Sequence, residues 1–257
     1  MLITLGPTNS GKSHLLFQNE NSLVDQSLRF IFDSIEPLSD NVERIRQYYP
    51  DMVDARTLES SGDVSASSFH YLSISMFELY NDNIIDLLHP STKSVRENST
   101  IVTDPIDAKL TPRNISKFLV NSYRSVHDLV FNSLTKRKTF PTSANNRSSR
   151  SHCFIFLNLH KIYADVMETT RFTIADLAGL ERSKSAGTSG LSLKEASYTN
   201  CSLTELGRCF ELISMKQFYK TCLRTNKLTR LVLNDYVKLN HPLHILVTLD
   251  PFGEEGF

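Results

Sequence analysis

Residues 6–13 run Gly6-Pro7-Thr8-Asn9-Ser10-Gly11-Lys12-Ser13, the spacing G-x-x-x-x-G-K-[ST] of a phosphate-binding loop. The loop stands where that chemistry needs it. Before it lies the apolar run Leu2-Ile3-Thr4-Leu5, which reads as a strand, and after it a segment able to start a helix, beginning with His14. Gly6 and Gly11 permit a path tight enough for backbone N–H groups to wrap phosphate oxygens. Lys12 is expected to reach β and γ phosphates, and the Ser13 hydroxyl to ligate Mg²⁺. Chance alone produces such a match in about one per hundred chains of this length. A nucleotide site also needs a carboxylate near the magnesium from the end of another strand. Asp176, closing the run Phe172-Thr173-Ile174-Ala175 and followed by Leu177-Ala178-Gly179, supplies it in a D-x-x-G pattern. Gly179 lacks the Cβ that would keep its N–H from a γ-phosphate.

The rest of the pattern is that of an α/β layer fold, with strands and helices alternating. Leu28, Ile31, Phe32 and Ile35 have helical spacing, as do Val126, Leu129, Val130 and Leu134, the latter ending at Lys136-Arg137-Lys138. Leu72, Ile74 and Met76 alternate with Ser73 and Ser75, predicting a half-buried strand; Ile84, Ile85, Leu87 and Leu88 read as a short helical cluster before Pro90. Phe154–Leu159, Phe172–Leu177 and Leu243–Leu249 are expected as buried strands. Residues 36–67, with Pro37, Pro50 and Gly62 and no sustained period, read as a surface insertion. A chain of 257 residues is expected to form one domain over residues 1–257.

Lys+Arg and Asp+Glu both total 28, so net charge gives no argument for nucleic acid or a membrane as partner. No apolar stretch approaches the roughly 20 residues of a membrane span. Cys153, Cys201, Cys209 and Cys222 form no CxxC pair, which points to buried thiols in a reducing compartment, so a cytosolic or nuclear location is expected, the cytoplasm being taken as the location. One local surface does stand out. From Leu212 to Asn234 there is no acidic residue, while Lys216, Lys220, Arg224, Lys227 and Arg230 all occur.

Five ordered segments carry a family resemblance. Asn145-Asn146-Arg147-Ser148-Ser149-Arg150-Ser151-His152 resembles the first switch of kinesins, N-x-x-S-S-R-S-H, and Asp176-Leu177-Ala178-Gly179-Leu180-Glu181-Arg182 their second switch, D-L-A-G-S-E-R. Phe77 to Leu88 is similar to the kinesin E-I-Y-N-E-x-x-x-D-L-L segment. Leu193-Lys194-Glu195-Ala196 with Asn200-Cys201-Ser202-Leu203 resembles the helix after the second switch, and Lys227-Leu228-Thr229-Arg230 the S-K-L-T-R element. The variants T-N-S-G-K and S-L-x-x-L-G-R-C, with the insertion after the Leu28 helix, look most like the mitotic kinesin-like subfamily, the sixth kinesin class.

The resemblance implies a P-loop NTPase with a kinesin-like central mixed sheet and helices on both faces. It implies ATP and Mg²⁺ as cofactors and microtubules as partner, hence a cytoskeletal location. In its terms Ser148 and Ser149 close over the γ-phosphate, with Ser149 joining Ser13 and Asp176 around Mg²⁺ and Ser148 holding the attacking water. Arg150 latches to Glu181, and Gly179 faces the γ-phosphate. Residues 6–14, Gly6 to His14, cradle the nucleotide. Lys194, Lys216, Lys220, Arg224, Lys227 and Arg230 face tubulin. Relative to the family pattern, the chain starts after the R-x-R-P strand and stops before the final helix and neck linker, so a frame shortened at both ends is expected. Two readings stay open: a microtubule-stimulated ATPase that moves along or exerts force on microtubules, and a non-motile module that binds microtubules or nucleotide without stepping. A GTPase is disfavoured, because Asn226-Lys227-Leu228-Thr229 lacks the final carboxylate of N-K-x-D.

Overall fold

The computed structural model describes residues 1–18, 21–35, 42–54, 68–89, 95–96, 100–105, 107–139, 149–163, 166–180, 191–217 and 223–249. Strand β1 (Leu2–Leu5) leads through the phosphate loop to α1 (Lys12–Phe17), followed by α2 (Leu23–Ser34), α3 (Val42–Arg46) and β2 (Val53–Asp54). A long strand β3 (Ser68–Tyr80) forms a hairpin with β4 (Asn83–Asp86), and β5 (Val95–Arg96) to β8 (Phe118–Val120) follow, with β6 at Ile101–Thr103 and β7 at Leu110–Pro112. The chain continues through α4 (Tyr123–Thr139), β9 (His152–Tyr163), β10 (Val166–Asp176), α5 (Leu191–Ser214), α6 (Lys227–Leu239) and β11 (His244–Val247).

The main sheet runs β11-β1-β10-β9-β3-β4-β5, with β8 also pairing β3 and β2 pairing β8. It is mixed: β1 is parallel to both β10 and β11, while β10 with β9, β9 with β3 and β3 with β4 pair antiparallel. Helices cover both faces. On one, Leu16, Leu28, Val126 and Val130 pack on Leu72, Ile74, Met76, Ile155, Leu157 and Ile174. On the other, Leu203, Leu206, Leu228, Leu231 and Val232 pack on Ile3, Phe77, Phe154, Phe156 and Ala175, with the Phe77 and Phe154 rings stacked 5.2 Å apart. The expected α/β frame, a central mixed sheet between two helical layers, is the observed one.

Five local expectations differ from what the chain does. Ile84 to Leu88 are not helical; Asn83–Asp86 is a strand, because Asn81 and Asp82 both take left-handed backbone angles (φ 50° and 62°) and close a two-residue hairpin of the kind that matches sheet twist. Ser73 and Ser75 are buried, not solvated, since β3 lies inside the sheet with helices on both sides. By contrast Ile245, Val247 and Leu249 are exposed: among the described residues β11 stands at one edge of the sheet and pairs with β1 alone. Residues 42–54 of the stretch expected at the surface bury Ile45, Tyr49 and Met52 against Tyr71, Leu119 and Ile162. Helix α3 has five residues, too few to display a period. Ile35 caps α2 in an extended conformation instead of extending it.

A polar layer lies at the end of β9 remote from the phosphate loop. Lys117 Nζ is 2.8 Å from Asp104 and 3.7 Å from the centroid of the Tyr49 ring, and Arg171 bonds Asn158 and the Leu110 carbonyl. Within it His160, 1% exposed, has Nε2 2.8 Å from Ser73 Oγ and Nδ1 2.9 Å from Thr169 Oγ1. Burial, with the charges of Lys117, Arg171 and Lys109, pushes its pKa down to about 3. The folded protein therefore resists protonating a ring that the unfolded chain protonates near pH 6.5. This stabilisation is complete above about pH 6.5 and is lost as pH falls towards 3. We expect the denaturation midpoint to drop across that window by an amount corresponding to a few kcal/mol, and His160→Gln to flatten the slope. A midpoint equally pH-dependent in His160→Gln would contradict this role.

Candidate functional site

The phosphate loop is pinned before any ligand is considered. Gly6 has φ +152°, and a Cβ there would lie 2.4 Å from the Thr248 carbonyl oxygen and Oγ1 beside β11, so only glycine fits. Gly11, at φ +92°, forms the left-handed cap of α1. Ser10 Oγ lies 2.8 Å from the Pro7 carbonyl and 2.6 Å from Thr248 Oγ1. Lys12, 7% exposed, donates from Nζ to the Gly6 and Pro7 carbonyls at 2.7 and 2.6 Å. Its positive charge is thus held inside the curve of the loop.

Parallel pairing of β1 with β10 sets Thr4 opposite Asp176, which brings the carboxylate to the mouth of the loop. Ser13 Oγ donates to Asp176 Oδ2 at 2.8 Å. Immediately after β10 the backbone turns across the site: the Gly179 N–H donates to the Ser149 carbonyl, and the Leu180 N–H to the Gly6 carbonyl, both at 3.2 Å. Thr8, Asn9, Gly11, Lys12, Ser13, His14, Ser149, Leu177 and Gly179 line one open cavity of about 400 Å³. The structure therefore gathers most of the residues expected around a nucleotide. Ser148 and Glu181 lie outside the described residues. Arg150 does not line this cavity. It lines a crevice with Tyr198, Thr199 and Ser202 of α5, and its carbonyl accepts from Thr199 Oγ1 at 3.0 Å.

Sequence reasoning missed the group that organises the carboxylate. Arg137, 5% exposed, extends from α4 to within 3.0 Å of both Glu78 Oε1 (from Nε) and Asp176 Oδ2. It also donates to the carbonyl and hydroxyl of Ser151, and the Ser151 hydroxyl donates to Glu78. Burial works against the guanidinium charge, yet the negative charge offered by Cys153, Asp176 and Glu78 more than offsets it, and its pKa is raised. Burial also pushes the Cys153 thiol up to about 12, so the two carboxylates supply that charge. The signal was present in the spacing. Arg137 follows Val126, Val130 and Leu134 by three residues on the same helical face, and Glu78 continues the Leu72-Ile74-Met76 face of β3. A charge on a buried face needs a partner, and here each is the other's.

Ser13 and Asp176 offer two hard oxygens side by side, which suits Mg²⁺, a cation usually held by one or two protein ligands with substrate phosphates completing its shell. Among the described residues no group of three His, Cys, Asp or Glu side chains could hold a metal by itself.

The basic surface lies elsewhere. Arg224, Lys227 and Arg230 border an open cleft with Lys238, Tyr198 and Asn234; Lys238 falls just beyond the span singled out from sequence. Arg224 is exposed, and Lys216 is exposed in a left-handed turn after α5. Lys227 is directed inward: its ammonium donates to the Asp82 carbonyl and lies 3.3 Å from the Asp82 carboxylate. Asp82 sits in the β3–β4 turn, so this pair ties the hairpin to the start of α6. Lys194 is on α5 with its side chain outside the described residues, as is all of Lys220. No helix among the described residues is long and apolar enough to cross a membrane.

Comparison with known proteins gives this geometry a context. The model of one family, described as the kinesin motor domain, matches residues 1–255. A curated relative, kinesin-like motor protein 9 of Schizosaccharomyces pombe, is 27% identical over 98% of this chain and 45% of its own length. The chain thus spans about half of that relative or less of others. A solved kinesin 6 chain superposes with a TM-score of 0.75 at 20% identity, covering 98% of this chain and 76% of that one. A solved KIF14 chain with ADP, in complex with a microtubule, gives 0.71 at 25% identity over 97% of this chain and 66% of its own.

Proposed function

Because the chain belongs to the kinesin motor-domain family, we propose that it is a Mg-ATP hydrolase whose turnover is coupled to microtubule binding, and that it falls in the sixth kinesin class. The observation that carries the proposal is the arrangement around one cavity: Lys12 and Ser13 of the loop line it together with Ser149 and Gly179, whose backbones bond to each other, and the Ser13 hydroxyl bonds the buried Asp176 carboxylate. Phosphoryl transfer asks the protein for positioning and charge stabilisation more than for covalent chemistry. The loop N–H groups and Lys12 bind and orient the β and γ phosphates. Ser13, Asp176 and Ser149 hold Mg²⁺, which when bound neutralises charge developing on the phosphate oxygens. The Gly179 N–H is available to the γ-phosphate, and Ser148 with Glu181 would orient the attacking water. A Gly179 N–H already bonded to Ser149 can exchange that acceptor for a phosphate oxygen, a two-position element of the kind that switches a nucleotide-dependent surface.

On this reading the acidic surface of a microtubule is met by Lys194, Lys216, Lys220, Arg224 and Arg230, while Lys227 holds the β3–β4 turn through Asp82, and the protein works on the microtubule cytoskeleton. KIF14, the relative in complex with a microtubule, supports the partner. ATP turnover of the purified chain is expected to rise at least about tenfold on adding microtubules, and to be lost in Glu181→Ala. Turnover indifferent to microtubules would contradict the proposal.

A further inference from the structure

The segment after β10 carries three consecutive N–H groups across the site. Those of Gly179 and Leu180 are accepted by backbone carbonyls, of Ser149 and Gly6. The first, from Ala178, is accepted by a side chain: His152 Nδ1, at 3.1 Å. Ala178 and His152 are 1% and 3% exposed, so loss of this acceptor would leave a buried donor unsatisfied. An Nδ1 that accepts must carry its lone pair, which places the ring proton on Nε2. Burial and the neighbouring Arg137 charge keep the ring neutral, with its pKa down to about 3.

His152 is also well anchored. It opens β9, paired with Leu79 of β3 on one side, and it borders the crevice formed with Tyr198 and Ser202 of α5 and Asn226, the N-cap of α6. It does not line the phosphate-loop cavity. Whatever it contributes to nucleotide chemistry passes through the Ala178 backbone.

We propose that His152 is a positioning residue for the nucleotide site, its Nδ1 lone pair fixing the Ala178 N–H and thereby the backbone that presents Asp176 and Gly179 to the phosphate loop. The proposal rests on the nucleotide-site reading given above. It makes a distinction that simple packing would not: the acceptor matters, not the bulk. His152→Asn places an amide oxygen where Nδ1 stands, His152→Leu keeps apolar volume without an acceptor, and His152→Gln carries its oxygen one bond further out.

The test compares these variants in the full chain by amide hydrogen exchange over residues 176–180 and by steady-state ATP turnover. Exchange at Ala178 and Gly179 is expected to quicken at least about tenfold in His152→Leu, and kcat to fall by about tenfold with a smaller change in KM. His152→Asn should recover most of both losses. Unchanged exchange in His152→Leu, or His152→Asn no better than His152→Leu, would overturn the proposal. If melting shows that His152→Leu does not fold, the Asn and Gln variants decide: protection in Asn but not in Gln supports it, and equal protection overturns it. A parent chain that turns over no ATP would defeat the nucleotide reading, and exchange would still decide the role of His152.

Discussion

Lys12→Ala is expected to abolish measurable Mg-ATP binding, read by titration with a fluorescent nucleotide, with a loss of at least about 100-fold. Two effects add. The ammonium is the charge available to the β and γ phosphates, and charge-assisted hydrogen bonds of that kind contribute about 1.5–3 kcal/mol each. The same group now donates to the Gly6 and Pro7 carbonyls at 2.7 and 2.6 Å, so its removal also loosens the loop that aims the N–H groups. The flanking packing, Ile3 under the loop and Leu16 in α1, is untouched, and the melting temperature should change little. Intact ATP affinity in a folded Lys12→Ala protein would defeat the assignment of the loop.

Arg137→Ala is expected to have the largest effect on stability, about 3–5 kcal/mol, the range for removing one partner of a buried ion pair. The reason is what it leaves behind. Glu78 and Asp176, 0% and 2% exposed, would face each other across β3, β9 and β10 without the guanidinium that now lies 3.0 Å from each. Arg137→Lys should recover little, since one ammonium cannot span two carboxylates and the Ser151 carbonyl as a planar fork does. Glu78→Gln in the Arg137→Ala background should restore part of the stability by removing one stranded charge. ATP turnover should fall in step, because Arg137 orients the oxygen of Asp176 that Ser13 also contacts. A loss under about 1 kcal/mol in chemical denaturation would show that the triad is not the electrostatic centre described here.

The uneven legibility of the sequence has a physical pattern. The phosphate loop, its strand and Asp176 were readable because their chemistry sits in short continuous segments, where spacing is geometry. Arg137 and Glu78 were not singled out because their significance is a contact between α4 and β3, distant in sequence, although each stood on a face already marked apolar. Ile84, Ile85, Leu87 and Leu88 suit a helix as well as a strand, and the deciding information lay before them in the Asn81-Asp82 turn. The Leu243–Leu249 run could be recognised as a strand but not as an edge strand, since position in a sheet is set by pairing that no local period records. On the basic surface, composition showed the cations and their number. It could not show that Lys227 turns towards Asp82 while Arg224 and Lys216 face outward.

We propose that the nucleotide cavity formed by the Lys12 loop and the Ser149–Gly179 contact, with Asp176 bonded to Ser13 beside it, controls microtubule binding by the basic residues between Lys194 and Arg230. Co-sedimentation of the purified chain with microtubules, in ADP and in a non-hydrolysable ATP analogue, tests it most directly. The account predicts clearly more chain in the pellet with the ATP analogue than with ADP, and no such difference in Lys12→Ala. Equal sedimentation in both nucleotides, or none in either, would contradict it.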